Sequence, residues 1–280
     1  MAVMKILYLR TLDVVKKWTM PYPNWDGVSD AVILAMGVVC GLLIIVSIFA
    51  LGVSIFLAIS YVRYIKKQNS CGKTGEQIAR TILDRNGLGK IKVSKTGSIL
   101  FGNSYSHYLK KVRLRRLTWK KQSVTSLAMA AQKSALAVLD KENDADMRTR
   151  VRLTPIIYFG PIAFVPMVII GALLDLFVLK SSNGICTILL TSIGLAFYLL
   201  SFIMSILVLK TEKKAQKRAY EIMKAEGLAT AEELEMCKKL FRLYNIEYIN
   251  DMVIALLELI YRVLQIIAYV QNSSSSSSKS

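Results

Sequence analysis

Residues 132, 133 and 136 have the spacing at which a helix can hold and use a zinc ion. Two imidazoles four positions apart lie on one helix face, and a carboxylate one step round from the first activates a metal-bound water. In this chain the three positions read Gln132, Lys133 and Leu136. An amide is a poor zinc ligand, an alkyl side chain is none, and an ammonium group cannot serve as the base. The catalytic spacing is therefore filled by residues without the catalytic chemistry. His107 is the only histidine in the chain and lies outside this stretch. The four cysteines, Cys40, Cys71, Cys186 and Cys237, show no CxxC spacing and read as free thiols, giving neither a thiolate metal site nor a disulfide framework.

The element that positions these residues is residues 123–139. Val124, Leu127, Ala128, Ala131, Ala135 and Val138 recur at helical spacing, and Ala, Leu and Met are good helix formers. Around it, 54% of the 280 residues are apolar and several runs are long enough to cross a bilayer. A formal charge of +18 would point to nucleic acid in a soluble protein. Here basic loops facing the cytoplasm account for it, so the partner is the lipid bilayer and no nucleic acid is expected.

Residues 1–30 mix apolar pairs with Lys5, Arg10, Lys16 and Lys17, which suits a helix lying on the membrane surface at 1–20. They lack the compact apolar core of a signal peptide. Residues 31–62 are free of charge and form the first expected span. Residues 155–209 hold two more, the first opening at Pro155 and carrying Asp175, the second starting after a turn at 181–184. A fourth, 252–270, is interrupted by Glu258 and Arg262, whose spacing of four suits an ion pair or a polar seam. The serine-rich tail, 271–280, reads as disordered.

Between the spans lie two polar segments. Residues 63–154 carry 21 Lys and Arg against six Asp and Glu, and residues 210–251 carry nine against eight. The first is read as a small cytoplasmic α+β module. Thr74 with Gln77 forms a capping box for a short helix that stops at Asn86-Gly87, and strand-like pieces follow at 90–94, 98–101 and 111–117. The acidic run Asp140, Glu142, Asp144 and Asp146 reads as a solvated loop. In the second segment the third span continues as a charged helix to Gly227, and a capping box at Thr230 and Glu233 opens another helix to about Tyr244. A dense basic surface comprises Lys110, Lys111, Arg113, Arg115, Arg116, Lys120 and Lys121, which suits anionic lipids.

From about Thr74 to the last span the chain resembles the bacterial neutral zinc metallopeptidases of the membrane. The matching stretches are ARTILDRNGLGKIKVSKTG, NSYS, VRL, SVTSLAMAA before Gln132, and VLKTEKKAQKRA. The resemblance implies a peptidase scaffold, with the two histidines of the family's helix falling on Gln132 and Leu136 and its catalytic glutamate on Lys133. The family's Asp-His-Tyr-Asp turn falls on Asn103, Ser104, Tyr105 and Ser106, which keep only the tyrosine. The acidic residue expected after the third span falls on Glu212, a remnant ligand. Together these readings describe a mainly α, polytopic helical membrane protein of the cell membrane, with about four transmembrane helices and a small cytoplasmic α+β module. It is a degenerate, inactive homologue without cofactor that serves as a membrane-bound scaffold or binds an unknown membrane or cytoplasmic protein or lipid. Two alternatives stand beside it: an active peptidase with a non-standard zinc site, and a small transporter or channel component using Asp175, Glu258 and Arg262. The charge pattern predicts that a membrane-impermeant thiol reagent labels Cys71 and Cys237 only after permeabilisation; labelling of both in intact cells would invert the topology.

Overall fold

The structure, a computed structural model, describes residues 27–96, 102–179 and 185–277, with backbone alone at 155–165 and 273–277. The expected surface helix at 1–20, the strand at 98–101 and the turn at 181–184 lie outside the described residues. In chain order the elements are α1 Asp30–Lys66, α2 Gly75–Arg85, β1 Lys92–Lys95, β2 Ser104–Ser106, β3 Lys111–Leu114 and α3 Arg116–Lys120. Then follow α4 Val124–Lys141, α5 Ala145–Leu173 with a π-helical turn Leu174–Val178, α6 Ile185–Ala225 and α7 Ala231–Ser277. They group into two units. One comprises Met1–Phe49, Pro155–Ile203 and Asn250–Ser280, the other Ala50–Thr154 and Met204–Ile249.

The second unit is built around α4. Ser123 caps its first turn, its hydroxyl accepting from the Ser126 amide at 3.2 Å. Leu127, Ala128, Ala131 and Ala135 are fully buried, and of the residues from Val124 to Leu139 only Lys133 is not. A helix apolar all round must be enclosed on every side, and its alanines let neighbours approach closely. Against it lies α2, opened by the complete capping box of Thr74 and Gln77 and stopped at Gly87 with φ +66°. A Cβ at Gly75 would collide with the Thr118 carbonyl, so glycine is what lets α2 meet α3. The sheet runs β1-β3-β2, with β1 parallel and β2 antiparallel to β3. Val112 and Leu114 of β3 point into the core while Lys111 and Arg113 are half-buried.

Five expectations are corrected here. The stretch Asn103 to Ser106 is largely the strand β2 rather than a turn, held by pairing Tyr105 with Val112. The strand at 111–117 ends at Leu114, because residues 116–120 turn into α3. The acidic run is not a free loop: Asp144 and Asp146 both engage Lys214 of α6, and Glu142 engages Arg218. Asp144 also accepts from the amides of Asp146 and Met147 at 3.0 Å, which starts α5 at Ala145 and leaves Pro155 well inside the helix. Likewise α7 does not stop near Tyr244. The capping box of Thr230 and Glu233 opens it, and with no glycine or proline up to Val270 it continues through the apolar run and the serines to Ser277.

The first unit holds much of the apolar length of the long helices. Three helices, Asp30–Lys66, Ile185–Ala225 and Ala231–Asn272, are long and apolar enough to cross a membrane, and Pro166–Val178 is a shorter apolar helix. Ile44, Ile45, Ile48 and Phe49 of α1 are all exposed, a run that water would penalise and lipid accommodates. The protein is a mainly helical, multi-pass membrane protein. Gly171 permits close packing within this unit, since a Cβ there would come within 2.7 Å of the Thr187 Cα.

Burial also changes the thiol expectation. Cys237 is fully buried and its thiol is pushed up to about 12 by that burial, whereas Cys71 is only half-buried. Labelling of folded, permeabilised membranes is therefore expected at Cys71 and not at Cys237, with Cys237 reacting only after denaturation. Equal labelling of the two in native protein, read by mass spectrometry, would contradict the packing of α7.

Candidate functional site

Gln132 and Lys133 project from α4 towards α6, where Glu212 sits three residues beyond the apolar stretch 185–209. One carboxylate oxygen of Glu212, Oε2, accepts from Gln132 Nε2 at 2.8 Å and from Lys133 Nζ at 2.8 Å. The other, Oε1, accepts from the Arg150 guanidinium at 3.0 Å. Arg150 reaches in from α5, and its second terminal nitrogen donates to Thr211 Oγ1 at 2.8 Å. The Thr211 hydroxyl in turn donates to the Val208 carbonyl at 2.8 Å. Three helices are thus tied together through one carboxylate.

Glu212 is 9% exposed. Burial by itself would raise its pKa, but Lys133 and Arg150 outweigh it through charge and hydrogen bonds and hold the carboxyl down to about 2. Lys133 is not a freely solvated side chain. Its ammonium is paired, and its side chain is 13% exposed. Leu136, by contrast, is 1% exposed and belongs to the apolar core.

These residues do not fit zinc. A divalent ion brought to Glu212 would meet an ammonium and a guanidinium already on the carboxylate, and each unit of like charge at 4 Å costs about 4 kcal/mol at an effective dielectric of 20. Gln132 presents an amide donor to the carboxylate, and Leu136 has no lone pair to give. Among the described residues no group of three or more His, Cys, Asp or Glu is assembled for a metal.

The remaining expected site residues lie elsewhere. Tyr105 donates to Asp140 Oδ2 at 2.6 Å, and His107 Nδ1 meets the same oxygen at 2.6 Å. Asp140 is eight residues beyond Gln132 on α4, about 12 Å along the helix. Burial and the Asp140 carboxylate keep the Tyr105 phenol far above its ordinary range. Asn103 accepts from the Arg115 amide at 2.8 Å and Ser106 from the Leu109 amide at 3.3 Å, both turn-fixing contacts, while Ser104 pairs with Arg113 in the sheet. In the first unit the Asp175 carboxylate is committed to the start of α6, accepting from the Cys186 amide at 2.9 Å and the Thr187 amide at 2.7 Å. Glu258 accepts from Tyr198 at 2.8 Å and Arg262 donates to Gln265 at 3.1 Å. Sequence reasoning missed Arg150 as a partner of Glu212, Thr211 as the hydroxyl that accepts from Arg150, and Asp140 as the partner of His107. Only contacts between distant segments reveal them.

Linkage sets the acid behaviour of the cluster. A carboxyl lowered from 4.5 to about 2 contributes roughly 3 kcal/mol that is fully present above pH 4.5 and lost as pH falls towards 2. Glu212→Gln should therefore lower stability at pH 7 by about 3 kcal/mol and flatten the decline below pH 4.5, read as unfolding midpoints in detergent. Lys133→Ala should cost about 1–3 kcal/mol, with Arg150 left as the remaining cation. Leu136→Ala should cost roughly 2–5 kcal/mol with no change in the acid limb, since it removes packing and not charge.

Residues 39–267 match a family model described as "Putative neutral zinc metallopeptidase". Among curated relatives, "Putative membrane protease YugP" of Bacillus subtilis (strain 168) is 25% identical over 227 residues, which is 80% of this chain and 96% of that protein. No solved structure matches. With a family match running from α1 into α7, and with Gln132, Lys133 and Leu136 on its central helix, the chain belongs to the neutral zinc metallopeptidase family as a degenerate member.

Proposed function

We propose that the protein is a catalytically inactive membrane homologue of the zinc metallopeptidases that works as a membrane-bound scaffold or binding protein. The observation that carries this reading is the ion-paired Glu212. The carboxylate that would remain for a metal is satisfied by Lys133 at 2.8 Å and Arg150 at 3.0 Å, so the cluster is complete without one. The exposed face around β3 and α3 is basic. Lys110, Arg115, Arg116, Lys120 and Lys121 are exposed and Lys111 and Arg113 half-buried, and none of the seven pairs with a carboxylate among the described residues. Each such cation near an anionic membrane contributes about 1 kcal/mol of attraction. The same reading holds the chain to four spans, counting the helix that enters through Pro155, with both termini outside and the two polar segments in the cytoplasm.

The test is metal content and cleavage. Protein purified without a histidine tag and without chelator is expected to hold no stoichiometric zinc and to cleave no unstructured protein substrate such as casein. One zinc per chain, lost together with cleavage in Glu212→Ala, would overturn the proposal. Gln132→His, Lys133→Glu and Leu136→His together are expected to raise zinc affinity by removing one cation and adding two imidazoles beside Glu212.

A further inference from the structure

A separate open cleft of about 700 Å³ lies in the second unit, beside the far end of α4. Five cations line it, Lys90, Lys110, Lys141, Arg148 and Arg152, against Asp140 as its one carboxylate. Asp140 is engaged through Oδ2 by the Tyr105 hydroxyl and by His107 Nδ1, each at 2.6 Å, and its single negative charge leaves the five cations in excess. Lys141 donates to the Asn86 carbonyl at 2.7 Å. Lys90, Lys110, Arg148 and Arg152 have no carboxylate partner among the described residues.

Several other cations of this unit are used. Lys67, Arg80, Arg85, Lys133, Arg150, Lys210, Lys214 and Arg218 each pair with an acid. Unpaired cations gathered around a concavity, rather than spread over a convex surface, need an anion small enough to enter it. Arg148 and Arg152 are four apart on α5 and therefore share a face, where two guanidinium forks can hold one tetrahedral anion. Lys110 is held at φ +43°, a backbone conformation that an L residue adopts at a cost, in the turn that joins β2 to β3. With Nδ1 of His107 taken by Asp140, Nε2 is the ring nitrogen left for a ligand. The volume is far more than one phosphate needs and falls in the range of small-molecule sites.

We propose that this cleft binds the phosphate group of a small phosphorylated ligand, held by Arg148, Arg152, Lys90 and Lys110. The chemistry is shared by a phospholipid headgroup and by a soluble phosphate compound. Arg152 lies three residues ahead of Pro155 on the helix that continues into the apolar segment, which favours a headgroup. The proposal deepens the binding role given above by naming a site and a ligand class, and it stands apart from the metal question.

The experiment uses the full chain in an uncharged detergent, with chelator present so that metal plays no part. Inorganic phosphate and short-chain dihexanoyl phosphatidylglycerol are titrated separately at constant ionic strength, with dihexanoyl phosphatidylcholine as the zwitterionic control, and binding is read from the unfolding midpoint. Saturable binding of one or both anionic probes is expected. Lys90→Gln, Arg148→Gln and Arg152→Gln together should weaken it by about tenfold or more. Lys217→Gln, Lys239→Gln and Arg242→Gln remove the same charge outside the cleft and should change it by less than about twofold. All six residues are exposed, so both variants should fold; Lys110→Gln, which should weaken binding alone, is the fallback. Phosphate binding that the phosphatidylglycerol cannot displace assigns the site to a soluble compound, and tighter binding of the lipid assigns it to a headgroup. Equal losses in the two variants, no saturable response to either anionic probe, or equal binding of the phosphatidylcholine would overturn the proposal.

Discussion

A carboxylate taken out of water must be given counter-charge, and Glu212 is where this protein meets that requirement. The residue sits at the start of the polar part of α6, against α4 and α5, with 9% of its surface exposed. Left alone there it would be neutralised or would force the helices apart. Lys133 and Arg150 supply the charge, and Gln132 fills an acceptor site with a neutral donor. Gln132, Lys133 and Leu136 thus form a chemically coherent set: a polar donor and a cation face the buried acid, and an alkyl group joins the core. Without Lys133 only Arg150 would be left to offset the buried carboxylate, which is why the lysine matters to the cluster.

The same rule organises the ends of other helices. Glu233 opens α7 as half of a capping box and also accepts from the Ser70 amide at 2.6 Å, joining the start of α7 to the chain that follows α1. Asp144 starts α5 and pairs with Lys214. Asp175 accepts two amides at the start of α6. Each of these acids satisfies backbone donors that a helix terminus leaves open, and each also ties two elements together. In the first unit this has a functional consequence, because an Asp175 committed to Cys186 and Thr187 is part of the scaffold and is poorly suited to relay an ion.

Two charge populations follow from that economy. Among the described residues the acids are nearly all engaged, while a large share of the cations around β3, α3 and the cleft beside Asp140 have no carboxylate partner. An excess of this kind raises the local concentration of anions and steers them to the module. It fits a protein that has given up hydrolytic chemistry yet keeps a folded, strongly basic module on membrane helices.

What the sequence determined by itself was whatever depends on neighbours along the chain. The 3.6-residue pattern located α4, the pair Thr74 and Gln77 located the start of α2, and charge-free length located the apolar helices. The types at 132, 133 and 136 already excluded the usual zinc chemistry. Helix limits were less legible where a side-chain cap or an unbroken run decided them: Asp144 moved the start of α5 forward, and the absence of a breaker carried α7 past Tyr244. Partnership was not legible at all. Arg150 reads in the sequence as one more basic residue, and His107 as a stray histidine beside a degenerate motif. Only the tertiary structure could decide that Arg150 and Lys133 share one buried carboxylate and that His107 meets Asp140 instead, because the residues in each pair are separated by 33 to 79 positions. Such contacts are fixed by how whole helices pack, and no local pattern encodes them.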